Sequence, residues 1–320
     1  MVSVIVVSWN SYRFLSDCLN SILQQSYQPM EIIVVDNGSS DGSAELVIEQ
    51  YREVQLWQND ANLGFCRANN QGLEYARGDY VFFLNADVIL EKEYLREALS
   101  SFELDASIGM VCGKLLRFDR KTIDSTGQFL SKARRAVERG YNWVDEDQYE
   151  KAGYVFSVCG AAALYSRRMI EEIKLDGEFF DEDYFAFYED LDVGWRANLL
   201  GWKGYYNPRA VAYHFRGGSQ QNKGWLSRFS QLSQRPLELK FHIIKNRYLT
   251  IIKNDRWRNF LLSLPSFLKW ELIMYGYLLL FDPRVLLRLA FLPSYIKKAR
   301  QKRELLKKKI SQKRIANIRE

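Results

Sequence analysis

The chain has 320 residues, 47% of them apolar and 14% aromatic, the composition of a folded protein with a real core: one large α/β domain plus an appendage, or two modest domains. Its net charge of +6 is uneven, because residues 297–320 carry 11 Lys and Arg against 2 Glu, so the body before them is mildly acidic and the basicity is terminal. Four scattered cysteines (Cys18, Cys66, Cys112, Cys159) form no CxxC pair, which argues against a zinc site or a disulfide frame and suits buried thiols in a reducing compartment.

The opening "MVSVIVVSWN" has no basic leader or cleavage site and reads as a first strand rather than a signal peptide. "SYRFLSDCLNSILQQSY" follows, with Phe14, Cys18 and Ile22 at i, i+4 and i+8, an amphipathic helix with Asn10 or Ser11 available as cap. "MEIIVVDNGSSDGS" is a strand running into a turn, and "SAELVIEQYRE" a helix. "VQLWQND", "GFCRANNQGLEYARG" and "DYVFFLNAD" then read as strand, helix and strand. This alternation predicts a parallel sheet with helices on both faces. Ligands of such sheets sit at the carboxyl ends of the strands, where "SWN", "DNGSSDG" and "LNAD" converge. Asp87 stands at the mouth of the apolar run Val81–Leu84, where a carboxylate is costly unless compensated.

Residues 123–154 read as irregular and polar. "VFSVCGAAALYSRRMIEEI" resumes a strand and a helix, another helix starts near Glu189, and "GYYNPRAVAYHF" is a strand. From Gly217 only helical, aromatic-rich segments are expected, which divides the chain into 1–217 and a helical, basic region 218–320. The apolar stretch Asn259–Pro293 is interrupted by charges and prolines, short of the roughly 18–20 residues a membrane span needs. Aromatic and Leu-rich pieces followed by a Lys/Arg-rich helix suit a segment lying on an anionic membrane. The plainer alternative is an extension packed on its own domain with a solvated basic end. No nucleic-acid partner is expected, since these lysines lack interleaved aromatics.

A dinucleotide fold would place GxGxxG after the first strand, but "SWNSYRFL" contains no glycine, which argues against a nicotinamide or flavin enzyme. In "DNGSSDG", Asp36 can accept from base or ribose groups, although such a loop is also a common turn. In "ANLGFCRANNQG", Asn62 and Gly64 precede a helix and Asn69 and Asn70 lie one turn in, a place for phosphate or ribose hydroxyls. Capping alone would also explain Asn62. Glu189 and Asp190 are adjacent near a helix start and point about 100° apart, so one of them faces any common ligand. Asp192 and Arg196 are spaced to pair with each other. An acidic helix N-terminus is the plain alternative for the whole run. No Ser-His-Asp or Cys-His signature points to a covalent intermediate.

The ordered set "VSVIVVSWN", "VVDNGSSDGS", "NLGFCRANNQG", "GDYVFFLNAD", "CGAAALYSRR", "FYEDLDVGWR" and "AYHFRGGS" resembles the family 2 glycosyltransferases, above all their bacterial rhamnosyltransferase-like branch. "FHIIKNRYLTIIKN" is similar to a stretch that often follows in that branch. The resemblance implies a GT-A fold over residues 1–217, a mostly parallel central sheet with helices on both faces, followed by the helical extension. It implies that Asp36 contacts the nucleobase of a sugar nucleotide, with Ser8 and Asn10 lining the pocket and Asn62, Gly64 and Asn69 nearby. Asp87 would end the DxD motif and hold Mg²⁺ or Mn²⁺, and His214 would complete the metal's coordination, although a histidine packing a strand end is an alternative. The sequence departs from the motif at Asn85, which brings no charge where the first acid is expected.

Asp190 would be the base that activates an acceptor hydroxyl, with Glu189 holding neighbouring groups, and the single displacement would invert the anomeric centre. The implied setting is transfer, as of rhamnose from dTDP-rhamnose, to a saccharide or polyprenyl-linked acceptor in cell-envelope polysaccharide synthesis. The protein would then be cytoplasmic and peripheral on the inner face of the plasma membrane. A nucleotide-binding oxidoreductase and an inactive membrane-surface scaffold on the same fold are the alternatives from other classes.

Overall fold

The computed structural model describes residues 1–216 and 235–319, with side chains to Ile315. The first half alternates as the sequence predicts: β1 (Val2–Ser8), α1 (Tyr12–Leu23), β2 (Met30–Asp36), α2 (Ser43–Gln50), β3 (Gln55–Gln58), α3 (Phe65–Tyr75) and β4 (Tyr80–Asn85). After β5 (Val88–Leu90), α4 (Tyr94–Ser100) and β6 (Ile108–Arg117) come four strands of three residues each. These are β7 (Ile123–Ser125), β8 (Gln128–Leu130), β9 (Ala136–Glu138) and β10 (Gly153–Val155). β11 (Ala162–Ser166), α5 (Arg167–Ile173), α6 (Glu189–Leu199) and β12 (Lys203–His214) complete the body. Then follow α7 (Leu237–Asn254), α8 (Trp257–Phe281), α9 (Pro283–Arg288) and α10 (Leu292–Arg319).

The main sheet runs β10-β12-β6-β11-β4-β1-β2-β3, with β5 on β12 and β7 on β6. β1 is rich in β-branched residues and buried along nearly its whole length, as a strand covered on both faces must be. It lies parallel between β2 and β4, and its register sets Ser8 beside Asp36 and Val7 beside Asn85. That register gathers the polar strand ends at one sheet edge. β11 enters antiparallel between β4 and β6. One apolar core lies under α1, α2 and α4, with Leu15, Val47 and Leu95; the other lies under α3, α5 and α6, with Leu73, Ile170 and Val193.

Residues 123–154 hold three-residue strands where an irregular stretch is expected, although 139–152 between β9 and β10 contain no helix or named strand. β8 and β9 pair as a hairpin, Gln128 opposite Glu138, and β7 joins the main sheet. Three-residue strands are too short to display an alternating pattern, and their polar side chains turn toward the site rather than solvent.

Leu249 of α7 and Ala299 and Leu306 of α10 belong to the second core. The expected boundary at 217–218 falls at residues outside the description. The basic end is largely docked on the acidic body: Lys298 lies 2.6 Å from Asp183, Lys302 2.6 Å from Asp181 and 2.8 Å from Glu178, and Lys313 2.7 Å from Glu172. Among the described residues, no helix is long and apolar enough to cross a membrane.

Candidate active site

At the ends of β1 and β2, Ser8 Oγ and Asp36 Oδ1 are buried without a hydrogen-bond partner, while Asp36 Oδ2 accepts from Ser39 N at 3.0 Å. Two neighbouring buried oxygens left unpaired are costly, and a ligand's N–H or O–H groups would relieve the cost. Asn10, at φ +52°, ties the two loops together: its Oδ1 accepts from Ser40 N at 2.8 Å and its N–H donates to Ser39 Oγ at 2.9 Å. Asp41 of the same Gly/Ser/Asp loop accepts from Tyr12 N at 2.9 Å, so α1 is capped from that loop rather than by the side chain of Asn10 or Ser11.

Asn62 and Gly64 brace this pocket from behind. Asn62 Oδ1 accepts from Asn37 Nδ2 and from Gly64 N, both at 2.9 Å. Gly64 sits at φ +90°, and a Cβ there would come within 2.5 Å of the Phe185 ring. The Cys66 N–H at the start of α3 donates to Phe185 O at 3.1 Å, so that donor is taken by the protein. Asn69 donates to Phe65 O of its own helix at 2.9 Å, and Asn70 exchanges bonds with the Phe180 backbone at 2.8 and 3.0 Å. These contacts are structural, and they set Asn69 apart from the Ser8–Asp36 pocket.

On the other side of β4, Asp87 Oδ1 lies 3.3 Å from His214 Nε2, and His214 Nδ1 lies 2.8 Å from Asp124 Oδ2. Arg216 stands 2.8 Å from the other Asp124 oxygen, an ion pair too bent to count as a hydrogen bond. Burial works against charge on Asp124, yet Arg216 and His214 hold its carboxyl below the ordinary range. Burial likewise opposes protonation of His214, but Asp124 and Asp87 lift it to about 9, so a cation must displace the Nε2 proton before the imidazole can ligate it. A carboxylate behind an imidazole fixes the ring and aims its other nitrogen forward, as ligand histidines require. One carboxylate oxygen and one aimed imidazole nitrogen fit a divalent cation, Mn²⁺ better than Mg²⁺ for the imidazole. Asn85, whose N–H donates to Ala161 O at 2.9 Å, ends β4 just before them.

The chain from Ala161 leads to the acids. Gly160 N donates to Asp190 Oδ2 at 3.1 Å, Gln128 Nε2 to the same oxygen at 2.6 Å, and Leu191 N to Oδ1 at 2.7 Å. Gln128 Nε2 also reaches Glu138 Oε1 at 2.7 Å, so one amide joins two carboxylates. Burial raises Asp190 above the usual aspartate value, against these donors. Burial and the Asp190 charge push Glu138 to about 7 and Glu189 to about 8. Glu189 is buried with Oε2 unpartnered, whereas Asp190 is partly exposed and accepts from each of these donors. Of the two adjacent acids, Glu189 is the more enclosed and Asp190 the more reachable and better supplied with donors.

The backbone before the acids is strained. Phe185, Phe187 and Tyr188 have φ of +65°, +72° and +70°, left-handed values that bulky residues adopt only when held. The holder is α7: Asn246 Nδ2 lies 2.8 Å from each of the carbonyl oxygens of Tyr184, Ala186 and Phe187. Lys245 bonds Asp183 O, and His242 stacks on Phe185 at 4.9 Å. Sequence reasoning named none of Asp124, Gln128, Glu138 or Asn246 as site residues. The first three lie on strands too short to read, and Asn246 lies in the quoted segment "FHIIKNRYLTIIKN", whose role no spacing discloses.

A mixed, largely parallel sheet carrying a polar pocket at β1 and β2, a carboxylate–histidine pair at the ends of β4 and β12 and an acid pair at the start of α6 has the architecture of the GT-A-type fold. Residues 3–174 match the model of glycosyl transferase family 2, and the chain belongs to that family. It is 26% identical over 214 residues to a poly-β-1,6-N-acetyl-D-glucosamine synthase of Staphylococcus aureus, covering 66% of this chain and 49% of that one. The Staphylococcus epidermidis enzyme of the same name is 23% identical over the same shares. The chain thus spans about half the length of these curated relatives. Among solved structures, S. aureus TarS superimposes with TM-score 0.52 at 17% identity, covering 94% of this chain and 53% of its own. A mannosyltransferase, PcManGT of Pyrobaculum calidifontis in complex with GDP-Man and Mn²⁺, gives 0.54 at 16%, covering 94% and 86%. Both show the GT-A-type fold. The relatives are named for different sugars, so the match fixes the family and leaves the rhamnosyl branch undistinguished.

Proposed function

We propose that this chain transfers a sugar from a nucleoside diphosphate to a saccharide hydroxyl with inversion, Asp190 acting as base. The observation that carries the reading is an unbroken series of contacts at one sheet edge. Ser8 pairs with Asp36 and Val7 with Asn85 in register, Asn85 bonds Ala161, and the adjoining Gly160 bonds Asp190.

Ser8 and Asp36 accept from the nucleoside, and the Asn10 tie holds their loops closed around it. Asp190 takes the proton of the acceptor hydroxyl, which is poorly nucleophilic until that proton leaves. Gln128, Gly160 and Leu191 aim the carboxylate, and Glu189 stays protonated, contributing a hydrogen bond without a competing charge. Asp87 and His214 Nε2 would hold Mg²⁺ or Mn²⁺, with Asn85 a neutral neighbour. When bound, the cation supplies Lewis-acid stabilisation of the charge on the departing diphosphate.

dTDP-rhamnose is the first donor to test, and a polyprenyl-linked saccharide of cell-envelope polysaccharide the first acceptor. The setting is the cytoplasmic face of the membrane, with residues 218–320 as the membrane-associating region. The test is a panel of dTDP-, UDP- and GDP-sugars incubated with the purified chain and Mn²⁺, scoring release of nucleoside diphosphate. One donor should be turned over, with binding weakened by Asp36→Ala. No binding or turnover across the panel would refute the reading.

A further inference from the structure

One side of the basic tail is docked on the body, but the outer face of the longest helix beside it is not. α8 has 25 residues, so it is about 37 Å long. Its inner face buries Ser263, Met274 and Leu278. Its outer face carries Leu261, Leu262, Leu268, Leu272, Leu279 and Leu280, all exposed, with Leu262 at 85% and Leu272 at 77%. At 100° per residue these positions fall within one broad stripe running the length of the helix. Phe281 at the end of α8, Leu287 in α9 and Phe291 just beyond it are exposed as well. An apolar strip of this length in water marks a docking surface.

Charge identifies the occupant. Residues 256–300 contain two acids, Glu271 and Asp282, and both are turned inward: Arg247 and Tyr248 bond Glu271, and Lys240 bonds Asp282. Arg256, Arg258, Lys269 and Arg284 are exposed around the same strip. The outward surface is therefore leucine and cation with no exposed carboxylate. A second copy of this chain would bring the same face against itself in a two-fold dimer, cation against cation, which disfavours that occupant. We infer that the α8–α9 face docks on an anionic lipid bilayer, its leucines entering the headgroup boundary and its cations meeting lipid phosphates.

The start and the inner side of α8 are coupled to the hairpin beside the proposed site. In the turn between β8 and β9, Arg134 pairs with Asp255 and donates to Asn259 O at 2.7 Å, and Arg135 lies 3.7 Å over the Trp270 ring. The strands of that hairpin supply Gln128 and Glu138 beside Asp190. Docking α8 thus fixes the acceptor side of the site near the bilayer, a consequence that rests on the proposed transfer reaction, whereas the docking itself does not.

The test is co-sedimentation of the full chain, without donor, with vesicles of phosphatidylcholine alone or mixed with phosphatidylglycerol. Light scattering reports the solution mass, and nucleotide-sugar turnover in the absence of vesicles reports the site. The wild type should bind the anionic vesicles, weaken with added salt, and bind phosphatidylcholine at least about tenfold less. The combined Leu272→Glu, Leu279→Glu and Leu280→Glu variant should lose vesicle binding about tenfold or more while keeping its melting temperature and vesicle-free turnover. Lys269→Glu alone should weaken binding to anionic vesicles without touching the leucines. Unchanged sedimentation of the triple variant, equal binding to neutral vesicles, or a wild-type dimer that the triple variant dissociates would each overturn the inference. Absent turnover with intact vesicle binding would sink the transfer reading and leave this one standing.

Discussion

The Asn246 side-chain nitrogen lies 2.8 Å from the Phe187 carbonyl oxygen, so a helix of the C-terminal region holds the strained backbone that presents Glu189 and Asp190. Asp190, the proposed base, is thus aimed by residues on both sides of it in sequence, Gln128 from the hairpin and Asn246 from α7.

Asn246→Ala removes the donor shared by Tyr184, Ala186 and Phe187 and lets the left-handed run relax. A base displaced by about 1 Å costs up to ~100-fold in rate. The expected result is a kcat fall of about 10- to 100-fold with donor KM nearly unchanged, measured by steady-state release of nucleoside diphosphate. Asn246→Asp should not rescue, because a carboxylate cannot donate to carbonyl oxygens. A rise in KM with kcat intact would place Asn246 in donor binding instead.

Glu189 gives a pH-dependent stability with a definite sign. Its folded value of about 8 lies above the ordinary 4.5, so between these the folded chain keeps a proton that the unfolded chain has released. Wild-type stability therefore declines as pH rises through this window. Glu189→Gln keeps the neutral shape and removes the decline. Its melting temperature should exceed the wild type's by a few degrees above pH 8, with the difference shrinking toward pH 4.5. An offset constant with pH would contradict the buried-acid assignment.

Asp124 acts behind His214. Asp124→Asn leaves the packing volume but weakens the hold on the imidazole, and Mn²⁺ affinity should fall by about 10- to 100-fold, with a larger fall for His214→Ala. Calorimetric titration of Mn²⁺ in the presence of nucleoside diphosphate measures both. Equal affinity in Asp124→Asn and wild type would remove Asp124 from this role.

Lys302 links α10 to the body through Glu178 and Asp181, and the neighbouring Ala299 and Leu306 lie in the core. Lys302→Met takes the cation from Glu178 and leaves Asp181 with Lys253 alone, and should cost about 1.5–3 kcal/mol in urea unfolding. Deleting residues 297–320 should unfold part of the body rather than merely free it from a surface. A truncated chain with wild-type stability would show the tail to be dispensable.

The alternating half of the fold was legible because β1, β2 and β4 are continuous apolar runs ending in polar turns, with amphipathic helices between them. Asp36, Asp87, Asp190 and His214 were singled out through their order along the chain, and the fold sets them at strand ends and at the start of α6. The β7–β9 region was not, since three-residue strands carry no period and Asp124, Gln128 and Glu138 look like loop polarity until the chain folds. Asn62 and Gly64 fall where expected, but they brace loops and seat Phe185. Only the fold reveals that the Cys66 N–H is already taken. The tail's net charge suggested a membrane-facing basic end, with an extension packed on the body as the alternative, whereas pairing with Asp181, Asp183 and Glu172 depends on where a distant helix lands.

The most direct test of the account is a side-by-side assay of Asp190→Asn for donor affinity and for sugar transfer to an acceptor. Donor binding should match the wild type while transfer falls by at least about a thousandfold, since the hydroxyl keeps its proton. Transfer at the wild-type rate would show that Asp190 is not the base and that the cleft works by another arrangement.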